Sequence, residues 1–152
     1  MQPLPHHYEV TLTASEGTPV EIRSRGLSPL ISAPPPEFDG PGNLWSPETL
    51  TVAAVADCLV LTFRAIANAS KQTWTSLVCD AKGTVERSDG VIRFTAVQLH
   101  VRLVLPAGAD AEKASRLLEK AEKACLVSNS LKCATTLKTD ISYEESALAP
   151  TA

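Results

Sequence analysis

The sequence predicts an α+β fold with antiparallel sheets, and three observations predict it. Short runs of alternating polarity, rich in β-branched residues, fall into two groups at residues 8–31 and 74–105, with turn residues between the runs. Two stretches with helical start signals and helical periodicity interrupt these groups. The links within each group are of hairpin length, and no GxGxxG or P-loop glycine pattern points to a doubly wound nucleotide fold.

The first group contains Tyr8-Glu9-Val10-Thr11-Leu12-Thr13 and Val20-Glu21-Ile22-Arg23, with Glu16-Gly17-Thr18-Pro19 as the turn of a hairpin. Residues 33–43 hold four prolines and two glycines, which excludes helix and central strand and predicts a stiff surface loop. A helix then starts with Ser46 as N-cap, Pro47 in the first turn and Glu48 at the positive end of the dipole, and runs to about Ala69. Leu50, Ala54, Cys58, Leu61 and Ala65 share one face, while Val52, Val55, Leu59 and Ile66 cover others. A helix apolar almost all round must be enclosed on several sides, and in so short a chain this predicts a dimer.

The second group reads as a three-stranded meander over residues 74–81, 84–87 with 91–94, and 97–105, with turns at Lys82-Gly83 and Ser88-Asp89-Gly90. A second helix is expected over residues 111–125, with Asp110 as N-cap and Ala114, Leu117, Leu118, Ala121 and Cys125 on one stripe. Ser128-Asn129-Ser130 reads as a break, residues 134–143 as a last strand, and residues 146–152 as a loose tail.

With 152 residues, 44% hydrophobic and 20% charged, the chain suits one globular domain spanning residues 1–152. A formal net charge of -3 gives no electrostatic reason to expect nucleic acid or an anionic membrane as partner. The first ten residues lack the basic region and apolar run of a signal peptide. The apolar stretch 50–69 carries Asp57 and Arg64 in its middle, which favours a buried helix over a bilayer span. The four cysteines are therefore expected in the reducing cytoplasm, free for chemistry, metal binding or core filling rather than joined in a disulfide framework.

Cys58 in mid-helix and Cys125 at the end of the second helix both lie on faces expected to be buried. Two helices packed against each other can bring such sulfurs within disulfide reach, while each cysteine taken singly reads first as core filling. Cys79 and Cys133 fall in expected strands and read as core filling. No CxxC pair exists, so a zinc site is not expected, and His6, His7 and His100 form no catalytic or metal-binding pattern. Trp45, Trp74, Phe38 and Phe63 read as core or interface filling, with Phe38 and Trp45 placed to line a pocket mouth beside the proline loop.

Two segments carry a resemblance. Pro41-Gly42-Asn43-x-x-Ser46-Pro47-Glu48-x-Leu50, followed by Ala53-Ala54-x-Ala56-x-Cys58, is similar to the glycine-rich loop and first catalytic helix of the OsmC/organic-hydroperoxide-resistance (Ohr) family. Ala121-Glu122-x-x-Cys125-x-Val127-Ser128-Asn129-Ser130-Leu131 resembles that family's second-cysteine segment, and Gly83 and Phe94-Thr95 fit its central strands. The resemblance covers residues 8–141 and implies an intertwined homodimer with sheets around two central helices.

It also implies a chemistry. Cys58 becomes the peroxidatic thiolate that reduces an organic or lipid hydroperoxide, and Cys125 resolves the resulting sulfenic acid as a disulfide, which an external dithiol reduces. No metal or other cofactor is implied. Glu48 matches the family's acidic residue, which holds an arginine near the reactive sulfur. Ten residues of helix rise about 15 Å, so Glu48 reaches a Cys58 only across a two-fold interface, or else serves simply as a helix-start charge.

One departure stands out. Where the family carries its activating arginine, this chain reads Ala14-Ser15-Glu16-Gly17. Without that cation a mid-helix cysteine beside Asp57 is expected to have a raised pKa, unless Arg23, Arg25, Arg64 or Arg102 substitutes. The departure keeps a second reading open, that of a non-peroxidase redox sensor or a binding module for an apolar ligand.

Overall fold

A computed structural model describes residues 2–145 and contains two compact units that part after Leu50. The expected tail, 146–152, lies outside the described residues.

The N-terminal unit is a three-stranded antiparallel sheet, β1 (Thr11–Thr13), β2 (Val20–Arg23) and β3 (Leu30–Ser32), in that order. The first two strands are the expected hairpin, and the Thr18 amide closes its turn by donating to the Ser15 carbonyl at 3.1 Å. The proline loop follows as irregular chain with one 3-10 turn at Pro36–Phe38. Gly40 is needed there, because a Cβ would lie 1.6 Å from the Pro34 carbonyl oxygen. The loop returns to β3, where the Ala33 amide donates to the Trp45 carbonyl at 2.8 Å. Phe38 and Trp45 are both half exposed.

Helix α1 (Pro47–Ala69) begins in this unit. Ser46 caps it as expected, and it does so reciprocally. The Thr49 amide donates to Ser46 Oγ at 3.2 Å, and the Ser46 amide donates to Thr49 Oγ1 at 2.8 Å. Two amides that helix formation leaves unpaired are thereby satisfied, in the manner of a capping box.

The second unit holds β4 (Ser76–Ser88), β5 (Val91–Leu105), helices α2 (Ala111–Ala124) and α3 (Leu126–Ser130), and β6 (Ala134–Tyr143). Its sheet order is β4-β5-β6. The expected meander is here two long strands and one hairpin. Asp89 and Gly90, both at positive φ (53° and 80°), make its two-residue turn. Lys82-Gly83 is not a turn. Its strand continues, paired Lys82↔Gln98 and Gly83↔Val97, and the irregularity nearby is a bulge in which Thr95 is left without a partner as pairing steps from Thr84↔Ala96 to Val85↔Phe94. Gly83 is explained by close approach, since a Cβ would lie 2.5 Å from Val52 Cγ2 and 2.7 Å from Phe94 Cε1.

The last strand departs from the antiparallel expectation, because β6 runs parallel to β5. The reason is connectivity: the chain leaves β5 at Leu105, crosses back through α2 and α3, and re-enters the sheet beside Ala96, so that β6 ends beside Leu105. Ser128-Asn129-Ser130, read as a break, lies within α3, and Cys133 stands just before β6 rather than within it. The class remains α+β, with one antiparallel and one mixed sheet.

The core of this unit is built from one stripe of α1 (Val55, Leu59, Phe63, Ala67), the inward residues of β5 from Val97 to Leu105, and Ala114, Leu118 and Ala121 of α2. Phe63 is fully buried and meets Trp74 edge to face at 5.8 Å. The stripe expected to be buried, Ala54, Cys58, Leu61 and Ala65, is a different one, and it is half-covered at Cys58 and exposed at the other three positions.

Candidate thiol site

Cys58 lies in mid-α1, and Cys125 is the residue joining α2 to α3. The stripe Ala114–Leu118–Ala121–Cys125 places the second cysteine against α1, where it is 1% exposed. Its thiol points at the Val55 carbonyl, 4.0 Å away and one turn before Cys58. Both cysteines are free thiols, and each lies close enough to shift the other's ionisation. The expected juxtaposition of Cys58 with Cys125 is therefore present.

Their electrostatics are opposite. Partial burial pushes the Cys58 thiol up, but the neighbouring Val127 amide, Cys125 thiol, Thr62 hydroxyl and Leu126 amide favour the thiolate and leave its pKa below the ordinary thiol value. Burial pushes the Cys125 thiol up, Ser128 moderates this through its hydroxyl and amide, and the neighbouring Cys58 sulfur adds to the rise. The pair thus ionises first at Cys58, with the proton retained on Cys125.

This corrects the expected raised pKa of Cys58. Neutral donors, two main-chain amides and two side chains, supply what the missing arginine was expected to supply, and no arginine is among them. Arg23 is paired with Glu21 and Arg102 with Asp80. Arg64 is exposed on α1, as is Asp57 beside Cys58.

Glu48 stands in the first turn of α1 and belongs to the N-terminal unit. Its Oε2 is buried with no hydrogen-bond partner among the described residues, an arrangement that is costly for a carboxylate. Cys79, in β4, has its thiol pushed up by burial and by the adjacent Asp80, which suits an inert core thiol. Among the described residues no group of three or more His, Cys, Asp or Glu side chains is placed to hold a metal.

Sequence reasoning missed Thr62, Ser128 and the Leu126 and Val127 amides. Thr62 was detectable, since it stands four residues after Cys58 on the same helix face. The amides were not, because main-chain donors leave no mark in side-chain identity.

Comparison with known proteins agrees with this architecture. A model of the family described as OsmC-like protein matches residues 40–140. The chain is 30% identical to YmaD of Bacillus subtilis (strain 168), an uncharacterised protein, over 72% of this chain and 75% of the relative. An organic hydroperoxide resistance protein OsmC from Legionella pneumophila superposes with a TM-score of 0.69 at 25% identity, covering 91% of this chain and 99% of that one. An OsmC-like protein of unknown function from Vibrio cholerae has the same fold, with a TM-score of 0.82 at 19% identity over 90% of this chain and all of that one (100%). By fold, by the extent of the family match and by relationship to YmaD, this chain belongs to the OsmC-like protein family.

Proposed function

We propose that this protein is a cytoplasmic, thiol-dependent peroxidase that reduces organic hydroperoxides in defence against oxidative stress, with Cys58 as the attacking sulfur and Cys125 as the resolving one. The observation that carries the reading is the division of the pair: one sulfur held toward thiolate by four donors, beside a second that keeps its proton. The Legionella pneumophila relative is an organic hydroperoxide resistance protein, which supports the choice of substrate class.

The chemistry balances on these two residues and an external dithiol. The Cys58 thiolate attacks the distal oxygen of ROOH. The O–O bond breaks, the sulfur loses two electrons to become a sulfenic acid, and the departing alkoxide takes a proton from water to give ROH. The Cys125 thiol then attacks the Cys58 sulfur, forming an S–S bond and releasing water from the sulfenic hydroxyl and the Cys125 proton. Thiol–disulfide exchange with the dithiol restores both thiols. The uncovered apolar residues beside Cys58, among them Ala54 and Leu61 (50% exposed), favour an organic over a fully hydrated peroxide.

The same face supports a homodimer, since one stripe of α1 is buried within the chain and an adjacent apolar stripe is left open. In that dimer Glu48, whose Oε2 has no hydrogen-bond partner among the described residues, acts at the partner's Cys58.

The test is consumption of cumene hydroperoxide by the pure protein with dithiothreitol. Wild type is expected to turn over, and Cys58→Ser to fall to the uncatalysed rate. Mass spectrometry of wild type after a brief peroxide pulse is expected to find a Cys58–Cys125 disulfide. Equal, slow consumption by wild type and Cys58→Ser removes the enzyme reading in favour of a redox sensor or an apolar-ligand module.

A further inference from the structure

We infer that Lys113 is a positioning residue: its ammonium, bound to the Ser70 carbonyl at the end of α1, fixes the register of α2 along α1 and so sets Cys125 beside Cys58 for disulfide formation. The inference rests on the reading of the two cysteines as a redox pair and deepens it.

The C-terminal end of α1 is a closed cap. The Lys71 amide, at φ 52°, donates to the Asn68 carbonyl at 3.1 Å, and the Gln72 amide donates to the Ala67 carbonyl at 2.9 Å. This pair of bonds is a Schellman motif with Ser70 at the Ccap position. Neither bond uses the Ser70 carbonyl, which accepts from Lys113 Nζ at 2.7 Å. A cation placed there also meets the negative end of the helix dipole.

Lys113 is itself held. It is the third residue of α2, and its amide donates to the Oδ1 of the N-cap Asp110 at 2.9 Å. The start of α2 is thus tied by its main chain to its own cap and by a side chain to the end of α1. A surface lysine ordinarily keeps its ammonium in water, whereas this half-buried one gives up rotamer freedom for a single contact 43 residues away in sequence.

At the other end of α2, Cys125 Sγ lies 4.0 Å from the Val55 carbonyl, one turn before Cys58. The two helices therefore run antiparallel. Twelve residues separate Lys113 from Cys125, and twelve separate Cys58 from Ser70. Each interval rises about 18 Å as helix, so the clamp and the thiol pair terminate equal lengths of helix laid side by side. Between them Ala114, Leu118 and Ala121 share a core with Val55, Leu59, Phe63 and Ala67. Apolar burial of this kind is non-directional and resists separation more than sliding. Sliding matters, because a disulfide accepts Cα separations of only about 4.4–6.8 Å and one residue of register moves a helix by about 1.5 Å. The backbone leaves helical geometry at Cys125 (φ -66°, ψ 110°), so register at the thiol end is set from the far end, where Lys113 binds.

The experiment measures an equilibrium in glutathione buffers, in which the two protein thiols and oxidised glutathione give the Cys58–Cys125 disulfide and two reduced glutathiones. Wild type, Lys113→Met and Lys113→Arg are quenched in acid, alkylated and read by peptide mass spectrometry. Lys113→Met keeps an apolar stem and removes the charged donor. It is expected to lower the equilibrium constant about three- to tenfold, the effect of losing one charge-assisted hydrogen bond at a half-buried site. Lys113→Arg keeps a cationic donor and is expected to recover most of that loss. A lysine that only stabilises the fold weakens the dithiol and disulfide forms alike, which lowers stability in urea and leaves the constant unchanged.

An unchanged constant in Lys113→Met, or a Lys113→Arg constant no closer to wild type than that of Lys113→Met, overturns the assignment. A wild type that forms no Cys58–Cys125 disulfide in these buffers overturns it as well. Lys113→Gln, with a shorter and uncharged side chain, decides the matter in the same buffers if Lys113→Met does not fold. Exchange with glutathione needs no hydroperoxide. A wild type that consumes no cumene hydroperoxide, with the constant still lowered in Lys113→Met, removes the peroxidase reading and leaves Lys113 in place.

Discussion

At the scale of single residues, one thiol pair is asked to do two things, and the surrounding donors divide the labour. Cys58 has its pKa lowered by polar neighbours that favour the thiolate, while Cys125, at 1% exposure, is raised mainly by burial. Alkylation of the reduced protein near neutral pH is therefore expected at Cys58 well before Cys125 or Cys79, and peptide mass spectrometry reads this directly. Labelling of Cys125 first overturns the division. The linkage to stability has a definite sign. A thiol whose pKa is depressed on folding contributes stability that is present above the unfolded thiol value and lost as pH falls through the folded one. Urea denaturation under reducing conditions is expected to show wild type gaining on Cys58→Ser at alkaline pH, with the gain vanishing at acid pH. The sequence revealed Cys58 and Cys125 because side-chain identity and helical spacing mark them. It misjudged the ionisation of Cys58 because two of the groups that lower its pKa are main-chain amides, those of Leu126 and Val127, just before the segment read as a break.

At the scale of elements, helix ends were legible and strand continuity was not. Ser46 and Asp110 were both readable as caps, and both cap: the Lys113 amide donates to Asp110 Oδ1 at 2.9 Å. Cap residues act within four positions of themselves, so local sequence suffices. Ser46→Ala is expected to cost about 1–2 kcal/mol in urea denaturation, at the upper end for a cap, because Ser46 is buried and its bond with Thr49 is reciprocal. A cost indistinguishable from zero rejects the reciprocal cap.

Strand pairing depends on distant partners, and there sequence reading failed at Lys82-Gly83. A glycine in a strand reads as a turn until it is known that α1 brings Val52 against it. Gly83→Ala is expected to destabilise by about 1–3 kcal/mol through overpacking, and Val52→Ala in the same chain to recover a large part of that loss. If the double variant is no more stable than Gly83→Ala alone, close approach of Val52 is not the reason for the glycine. The parallel placement of β6 was equally illegible, since the alternation of a strand carries no sign of its direction.

At the scale of the whole molecule, the question is what covers the open face of α1. The helix is apolar nearly all round, yet within one chain only Val55, Leu59, Phe63 and Ala67 are buried. Ala54, Leu61 and Ala65 are exposed on an adjacent stripe, and Leu126, next to the thiol pair, is 70% exposed. A fully exposed leucine forgoes roughly 1.5–3 kcal/mol of burial and an alanine methyl about 0.8 kcal/mol or less, which a second copy of the same chain recovers on both sides of a two-fold axis at once. Sedimentation velocity at micromolar concentration is expected to show a dimer, and Ala65→Glu a monomer, because a carboxylate placed in that contact is buried without a partner. Ala65 lies two turns beyond Cys58, so the variant leaves the donors to Cys58 in place. It is therefore expected to retain rapid alkylation of Cys58 and to form the Cys58–Cys125 disulfide after a peroxide pulse. Its steady-state peroxide turnover is expected to fall if Glu48 works across the interface, since a monomer separates that carboxylate from the partner's Cys58. A wild type that sediments as a monomer overturns the dimer. An Ala65→Glu monomer with undiminished turnover keeps the dimer but removes Glu48 from the chemistry, leaving the thiol pair and its own donors as the complete site.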